Sequence, residues 1–189
     1  IKWEDSDLKK LMQYFRIRTK PIIIAANKAD VPGAKENFDR IKKEFPNHII
    51  IPCSAESEFA LKGADKAQLI NYVPGESDFK ISDETKINDK QKQGLSFIKE
   101  KMLDNFGSTG IQDVLNKAVF ELLKYVAIFP AGDKLCDSDG NVLPDCFLLP
   151  EGTTALSFAY HLHTDLGDNF VRAVDIRTKQ SMKKDQLLK

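Results

Sequence analysis

The sequence lacks the features that mark a membrane-spanning or secreted protein. No apolar stretch approaches the roughly 20 residues that a transmembrane helix needs. The first residues do not have the basic and then apolar layout of a signal peptide. Cys53, Cys136 and Cys146 are an odd number of cysteines without a closely spaced pair, which disfavours a disulfide framework and a zinc site. We therefore expect a cytoplasmic protein with no membrane span and no protein-bound metal centre.

An excess of charge of either sign is also missing. The 28 Lys and Arg residues balance 28 Asp and Glu residues, so overall charge gives no argument for binding nucleic acid. A local basic cluster comprises Arg172, Arg177, Lys179, Lys183, Lys184 and Lys189. This cluster fits an RNA-facing patch or an ordinary solvated face, and the neutral net charge slightly favours the solvated face.

The first part of the chain alternates between helical and strand patterns. Apolar residues on one helical face predict a helix over 7–18, and a β-branched run predicts a strand over 22–26. Helical spacing returns over 38–45, and a second apolar run predicts a strand over 48–53. Strands that are apolar on both faces and separated by helices are typical of a parallel α/β sheet with right-handed crossovers.

The middle of the chain is predicted to be mainly helical. Helical spacing and breaker residues predict helices over 60–72, 89–105 and 111–123, with an irregular segment over 76–88. The last of these helices has the longest apolar stripe in the chain. Thr109 followed by Gln112 has the spacing of a capping box at its start.

The pattern changes near residue 127, where short strands and turn residues replace the long helices. The predicted elements are strands over 126–129, 146–149 and 170–174, a hairpin turn over 137–141, and a helix that Thr153 or Thr154 caps and Gly167 ends. A hairpin, a helix and a further strand make a small α+β module. We therefore predict two domains, residues 1–126 and residues 127–189.

Polar residues directly follow each of the first two predicted strands. Asn27, Lys28 and Asp30 come after the first strand, and Ser54 and Ala55 come after the second. In open α/β sheets, ligands bind outside the carboxyl ends of the strands. We therefore expect these residues to form one binding site.

These residue types fit a guanine base. An ionised Asp30 carboxylate accepts two parallel hydrogen bonds, and guanine presents its N1–H and exocyclic amine side by side. Adenine has no such donor pair, so a buried carboxylate facing it would stay unpaired at a cost of about 1–3 kcal/mol. Lys28 can lay its methylene stem over the base, Asn27 can tie its loop to the neighbouring one, and the Ala55 N–H can donate to guanine O6. The alternative is that Asn27 and Asp30 only stabilise a turn.

The two loops also resemble known motifs. Asn27-Lys28-Ala29-Asp30 resembles the NKxD guanine-specificity motif of translation-factor-type GTPases, and Cys53-Ser54-Ala55 resembles the SA-containing motif that follows it there. Downstream, the runs 106–112, 139–145, 149–154 and 161–167 complete a succession similar to the C-terminal part of YchF-type GTPases of the Obg-related group, most closely their archaeal branch.

This resemblance carries expectations about fold and function. It implies part of a P-loop NTPase-type parallel sheet with a helical segment, followed by a ubiquitin-like TGS domain of the β-grasp type. It implies GTP as the ligand, together with Mg²⁺ in the intact protein, and GTP hydrolysis there. It also implies that the TGS module contacts a ribosome or RNA.

The sequence contains neither a GxxxxGK[ST] phosphate loop nor a DxxG motif before Asn27, and these elements hold the phosphates and Mg²⁺ in such enzymes. The catalytic residues are therefore unknown, and we expect a fragment truncated at both ends, whose last TGS strand would follow Leu188. A second function stays open, that of an RNA- or protein-binding interaction module without a nucleotide function. No pattern indicates an oligomeric state.

Overall fold

The computed structural model describes residues 3–131, 135–136, 139–142 and 145–189. The chain divides into two compact units, Ile1–Ala118 and Val119–Lys189. Among the described residues, no helix combines the length and apolar character that crossing a bilayer requires.

The first unit begins with two strands that alternate with helices. Its first elements are helix α1 (Asp5–Thr19), strand β1 (Ile23–Ala26), helix α2 (Ala34–Glu44) and strand β2 (Ile49–Pro52). The two strands pair in parallel, with Ile23 opposite Ile49 and Ala26 opposite Pro52. The predicted α/β class with a parallel sheet is therefore confirmed, and both polar loops leave the sheet at the same edge.

The rest of this unit is mainly helical. Its elements are α3 (Ala55–Lys66), β3 (Ile70–Asn71), β4 (Lys80–Ile81), a 3₁₀ turn (Glu84–Lys86), α4 (Asp89–Ile98), a π-helical segment (Lys99–Leu103), α5 (Asp104–Phe106) and α6 (Ile111–Asn116). Asn88 starts α4 with a reciprocal capping box to Gln91. A buried apolar cluster joins α3, β3 and α4 and consists of Leu61, Ile70, Tyr72, Ile87, Leu95 and Ile98.

Two predictions for the middle of the chain are wrong in their boundaries. The helix predicted over 60–72 begins five residues earlier, because Ser54 caps it, and its predicted end is strand β3. Ile70 of β3 pairs antiparallel with Ile81 of β4. The segment 76–88 is therefore partly regular, since it contains β4 and the 3₁₀ turn.

The capping box predicted at Thr109 and Gln112 is also wrong. The N-cap of α6 is Gly110, which has a left-handed φ of 77° and makes no side-chain cap. The Thr109 hydroxyl instead donates to Glu58, far away in the sequence. The helix predicted over 111–123 continues beyond Asn116 as a π-helical segment, Lys117–Leu122, and its apolar stripe includes exposed side chains such as that of Leu115.

In its described residues, the second unit contains two antiparallel strand pairs and two α-helices. Its elements are β5 (Tyr125–Ile128), β6 (Phe147–Pro150), α7 (Ala155–Leu162), α8 (Thr164–Asp168), β7 (Ala173–Val174) and β8 (Ser181–Met182). β5 pairs with β6 and β7 pairs with β8. Of the two predicted caps, Thr154 is the one that accepts from the Ser157 N–H at the start of α7. Leu149 of β6 and Phe158 of α7 are buried.

The prediction that Gly167 ends this helix is wrong. Helix α7 ends at Leu162, and Gly167 lies inside α8. There a Cβ atom would lie 2.2 Å from the ring of Tyr160, so a larger residue would have to displace that ring. The strand predicted over 170–174 is reduced to β7, and its partner β8 has no predicted counterpart. The hairpin turn predicted over 137–141 lies partly outside the described residues, although Cys136 and Val142 form an antiparallel bridge.

Candidate functional site

The two polar loops meet because parallel strands end at the same edge of a sheet. The Cys53 N–H donates to the Ala26 carbonyl over 3.0 Å, and the Ala29 N–H donates to the Cys53 carbonyl over 3.0 Å. These two bonds continue the contact between the chains past the ends of β1 and β2. The two loops that carry the predicted site residues are therefore adjacent through their main chains.

Asn27 connects the two loops through its side chain. Its Oδ1 accepts the N–H of Lys28 over 2.9 Å and the N–H of Ala55 over 3.1 Å. This confirms that Asn27 ties its loop to the neighbouring one. The Ala55 N–H, which we predicted to donate to guanine O6, therefore already has a protein partner, and a bound base would have to share that bond or replace it.

Lys28 and Asp30 present their side chains differently. Lys28 is exposed and has a left-handed φ of 66°, so the chain turns sharply after Asn27. Asp30 is partly buried, and its carboxylate makes no hydrogen bond or ion pair with any residue that the structure describes. It lines a cavity of about 290 Å³ together with residues that include Val31, Phe97 and Lys101. The Asp30 carboxylate therefore lines this cavity without a hydrogen-bond donor from the described part of the protein.

Ser54 caps the N-terminus of helix α3. It is 1% exposed, and its Oγ accepts the Ser57 N–H over 3.2 Å and pairs with the Ser57 Oγ over 2.9 Å. Capping residues of this kind fix the first turn of a helix. Ser54 therefore positions Ala55 and has no free hydroxyl surface for a ligand. Cys53 beside it is also buried, and burial raises the pKa of its thiol, which keeps the thiol protonated and unreactive.

A buried hydrogen-bond network lies behind the second loop. Glu58 Oε2 accepts the Tyr72 hydroxyl over 2.8 Å and the Thr109 hydroxyl over 2.6 Å, and all three residues are buried. Burial, followed by the hydrogen bond to Glu58, raises the pKa of Tyr72 to about 12. A carboxylate in such a place needs donors, because a buried unpaired charge is costly.

Neither Glu58 nor Tyr72 is among the predicted site residues. A signal for Glu58 does exist in its helical phase, since it follows Ser54 by four residues and precedes Leu61 by three. These spacings place it on the buried face of α3. No comparable local signal identifies Thr109 as its partner, 51 residues away. As for metals, the described part of the chain contains no cluster of three or more His, Cys, Asp or Glu side chains that could hold an ion.

Comparison with known families identifies both parts of the chain. Residues 25–133 match the family model described as Obg-like GTPase YGR210-like, G4 motif-containing domain. Residues 128–187 match the TGS domain. The expected Obg-related group and TGS module are thereby confirmed.

Similar proteins are found in archaea and in a yeast. A protein of Methanocaldococcus jannaschii, described as an uncharacterized GTP-binding protein, is 46% identical over 191 residues, which is 100% of this chain and 48% of that protein. A Schizosaccharomyces pombe protein with the same description is 33% identical over 82% of this chain and 40% of its own length. The crystal structure of a GTP binding protein from Pyrococcus horikoshii OT3 matches with a TM-score of 0.68 and 39% identity, over 99% of this chain and 48% of that one.

The chain thus spans about half the length of these relatives or less. The loops after β1 and β2 fall within the matched G4 motif-containing domain, and the second unit contains the TGS match. The fold, the two matches and the 46% identical relative agree, and the chain therefore belongs to the YGR210-like family of Obg-like GTPases, of which it contains the G4 motif-containing domain and a TGS domain.

Proposed function

We propose that residues 27–30 and 54–55 form the base-recognition part of a guanine-nucleotide site. The observation that carries this proposal is the hydrogen bond from the Ala55 N–H to Asn27 Oδ1. It joins the two loops at the edge of the parallel sheet, and the Asp30 carboxylate of the first loop has no partner among the described residues. The names of the relatives, which are described as GTP-binding proteins, support the same ligand.

Each residue has a chemical role in this proposal. The two oxygens of Asp30 accept the N1–H and the exocyclic amine of guanine, a pair that adenine does not offer. Lys28 covers a face of the base with its methylene stem. Asn27 holds the loops together, and Ser54 holds the first turn of α3, which carries the Ala55 N–H near guanine O6.

The proposal for the intact protein is broader. The intact protein binds GTP with Mg²⁺ through phosphate-binding residues that are not in this sequence, and it hydrolyses the GTP. It is a cytoplasmic GTPase of the translation-factor class and of the YchF type. The TGS module, which we assign to residues 127–189, contacts a ribosome or RNA. Exposed basic residues of this module, among them Arg172, Lys179 and Lys183, support that assignment.

Calorimetry with GDP, GTP, ATP and XDP in the presence of Mg²⁺ tests the base-recognition proposal in the intact protein. We expect Asp30→Asn to weaken GDP binding at least about thirtyfold, since it removes charge-assisted hydrogen bonds worth about 2 kcal/mol or more. The same variant should bind XDP more tightly, because xanthine offers an acceptor where guanine offers an amine. Asp39→Asn on the exposed side of α2 is the matched control and should leave both affinities unchanged.

An unchanged GDP affinity in Asp30→Asn would contradict this assignment. A parent protein that prefers ATP, or binds no nucleotide at all, would favour the alternative of an RNA- or protein-binding interaction module.

A further inference from the structure

A third segment of the chain, residues 108–110, packs directly against the loop after β2. The Ser54 N–H donates to the Thr109 carbonyl over 2.9 Å. Next to it, Gly110 lies so close to the end of β2 that a Cβ atom would be 2.0 Å from the Pro52 carbonyl oxygen and 2.9 Å from Cys53 Cα. The 108–110 segment therefore contacts the main chain of the loop, without an intervening side chain at Gly110.

The side chain of Thr109 anchors this segment from the other side. Thr109 is 0% exposed, and its hydroxyl donates to Glu58 Oε2 over 2.6 Å. Glu58 belongs to α3, and its own N–H donates to the Ser54 carbonyl over 3.1 Å. Thr109 thus binds the first turn of α3 at two points, through its carbonyl at Ser54 and through its hydroxyl at Glu58. A hydrogen bond from a hydroxyl to a buried carboxylate is among the stronger ones in a protein.

These contacts leave Ala55 held from two sides. Its N–H donates to Asn27 Oδ1 in the loop after β1, and the residue before it is bonded to Thr109. A displacement of Thr109 would release Ser54 and let the Ala55 N–H move relative to Asp30. Precise placement of donors and acceptors is what makes recognition of a base selective and tight.

We propose that Thr109 is a positioning residue of the guanine site, which holds the Ser54–Ala55 loop in the geometry that reads the base. This inference rests on the proposed function. Thr109 does not contact the base and acts only through Ser54 and Ala55. The predicted site residues do not point to Thr109, because the local sequence around Thr109 indicates a helix cap.

Tyr72 offers an internal comparison, because it donates to the same carboxylate oxygen. Its hydroxyl binds Glu58 Oε2 over 2.8 Å, while its N–H binds Asp65 Oδ1 at the other end of α3. The Tyr72 hydroxyl also interacts with the Thr109 side chain, but these contacts do not include the main chain of Ser54 or Ala55. Removing the Tyr72 hydroxyl should therefore weaken the buried network and leave the Ser54 N–H in place. Removing the Thr109 hydroxyl should weaken the network and also loosen the Thr109 carbonyl that accepts the Ser54 N–H.

The experiment compares Thr109→Val, Thr109→Ser and Tyr72→Phe in the intact protein. GDP affinity is measured by calorimetry at a temperature where all variants are folded, and melting temperatures are recorded without nucleotide. Thr109→Val should raise the Kd for GDP severalfold and by no more than about tenfold, because the free energy of one buried hydrogen bond is the most that a loss of positioning can transfer to binding. Thr109→Ser restores the hydroxyl and should stay within about twofold of the parent. Tyr72→Phe should lower the melting temperature yet also keep the Kd within about twofold.

Hydrogen exchange of the peptide covering residues 53–58, without nucleotide, gives a second measurement that does not depend on the ligand. We expect faster exchange in Thr109→Val than in Tyr72→Phe, since only the former loosens the acceptor of the Ser54 N–H. Thr85→Val is the control, because it also removes a hydroxyl-to-carboxylate bond of 2.6 Å, to Asp83, in the 3₁₀ turn. It should change neither the Kd nor the exchange of this peptide.

Two results would overturn the positioning role of Thr109. One is a Thr109→Val variant with parental exchange in 53–58 and parental Kd. The other is a rise in Kd that follows the loss of melting temperature equally in Thr109→Val and Tyr72→Phe, which would show a general effect on folding. Failure of the guanine assignment is distinguished by Asp30→Asn, which would then bind GDP as the parent does whatever the exchange shows.

Discussion

The two loops at the edge of the parallel sheet are built in opposite ways. In the loop after β1, Asn27 and Lys28 are exposed, and the Asp30 carboxylate has no partner among the described residues. In the loop after β2, Cys53 and Ser54 are each 1% exposed, and bonds to Ala26, Ser57 and Thr109 hold them. The side chains of the first loop are mostly exposed, whereas the start of the second loop is fixed by the protein interior.

This difference suggests separate roles for the two loops in specificity and in rigidity. Side chains with free hydrogen-bonding groups give specificity, but each is useful only if its distance to the others is set by something rigid. The loop after β2 and the network behind it provide that rigid part. Changes in the first loop should therefore alter which base is bound, whereas changes behind the second loop should alter stability as well as affinity.

The largest effect is expected for Gly110→Ala, which tests the rigid part directly. The new Cβ would overlap the Pro52 carbonyl oxygen at 2.0 Å, at a residue whose φ is +77°. Because the obstacle is main chain and the backbone conformation is unfavourable for alanine, we expect a loss of about 3 kcal/mol or more in the free energy of unfolding. Urea denaturation followed by circular dichroism measures it.

Gly63→Ala in α3 is the matched control for that substitution. A Cβ atom at Gly63 meets nothing within 4 Å, so alanine should stabilise the helix by about 0.5–1 kcal/mol. If Gly110→Ala behaved like Gly63→Ala, the close contact between the 108–110 segment and the loop would be refuted.

The next effect concerns the pH dependence of the buried network. The pKa of Tyr72 is raised to about 12 in the folded protein, compared with about 10 in an unfolded chain. Tyr72 therefore stays protonated to a higher pH in the folded state than in the unfolded chain. The resulting stabilisation is present below pH 10 and is lost as the pH rises from 10 to 12. A shift of this size corresponds to about 2–3 kcal/mol. Denaturation at a series of alkaline pH values measures the decline.

Tyr72→Phe isolates this contribution, because the variant has no phenol to ionise. Its free energy of unfolding should fall less steeply above pH 10 than that of the parent. Tyr14→Phe, in the exposed helix α1, should follow the parent instead. Parallel curves for the parent and Tyr72→Phe would show that the Tyr72 proton does not contribute to holding Glu58.

The smallest effect is expected at the contact between the two loops. Asn27→Ala removes the Oδ1 that accepts the N–H groups of Lys28 and Ala55, at a cost of about 1 kcal/mol in the free energy of unfolding because the site is open to water. Asn27→Asp keeps an oxygen in this position and should recover most of the loss. Chemical denaturation of the three proteins compares them, and equal losses in both variants would argue against a role for Oδ1.

Much of the fold follows from local patterns. The β-branched runs identify β1 and β2, the alternation with helices identifies the parallel pairing, and Thr154 is recognisable as a helix cap. The polar residues after each strand identify the candidate site, because the carboxyl ends of parallel strands meet. Their assignment to guanine stays a prediction.

Errors arise where a distant partner overrides a local preference. Thr109 has the spacing of a capping box with Gln112, yet its hydroxyl binds Glu58 instead, since a buried carboxylate needs a donor more than the first turn of α6 does. Gly167 has the pattern of a helix terminator, but it lies inside α8, where Tyr160 of α7 packs against it. In both places, the competing contact comes from another element of the fold.

By itself, the sequence determined the residue types of the candidate site and their order along the chain, since strand, turn and cap preferences act over a few neighbouring residues. Only the tertiary structure decided which groups are engaged: the Ala55 N–H is bound to Asn27, Glu58 joins Tyr72 and Thr109, and Asp30 has no partner among the described residues. These contacts link residues that are 14 to 51 positions apart, and the packing of α3, β3 and the 108–110 segment sets them.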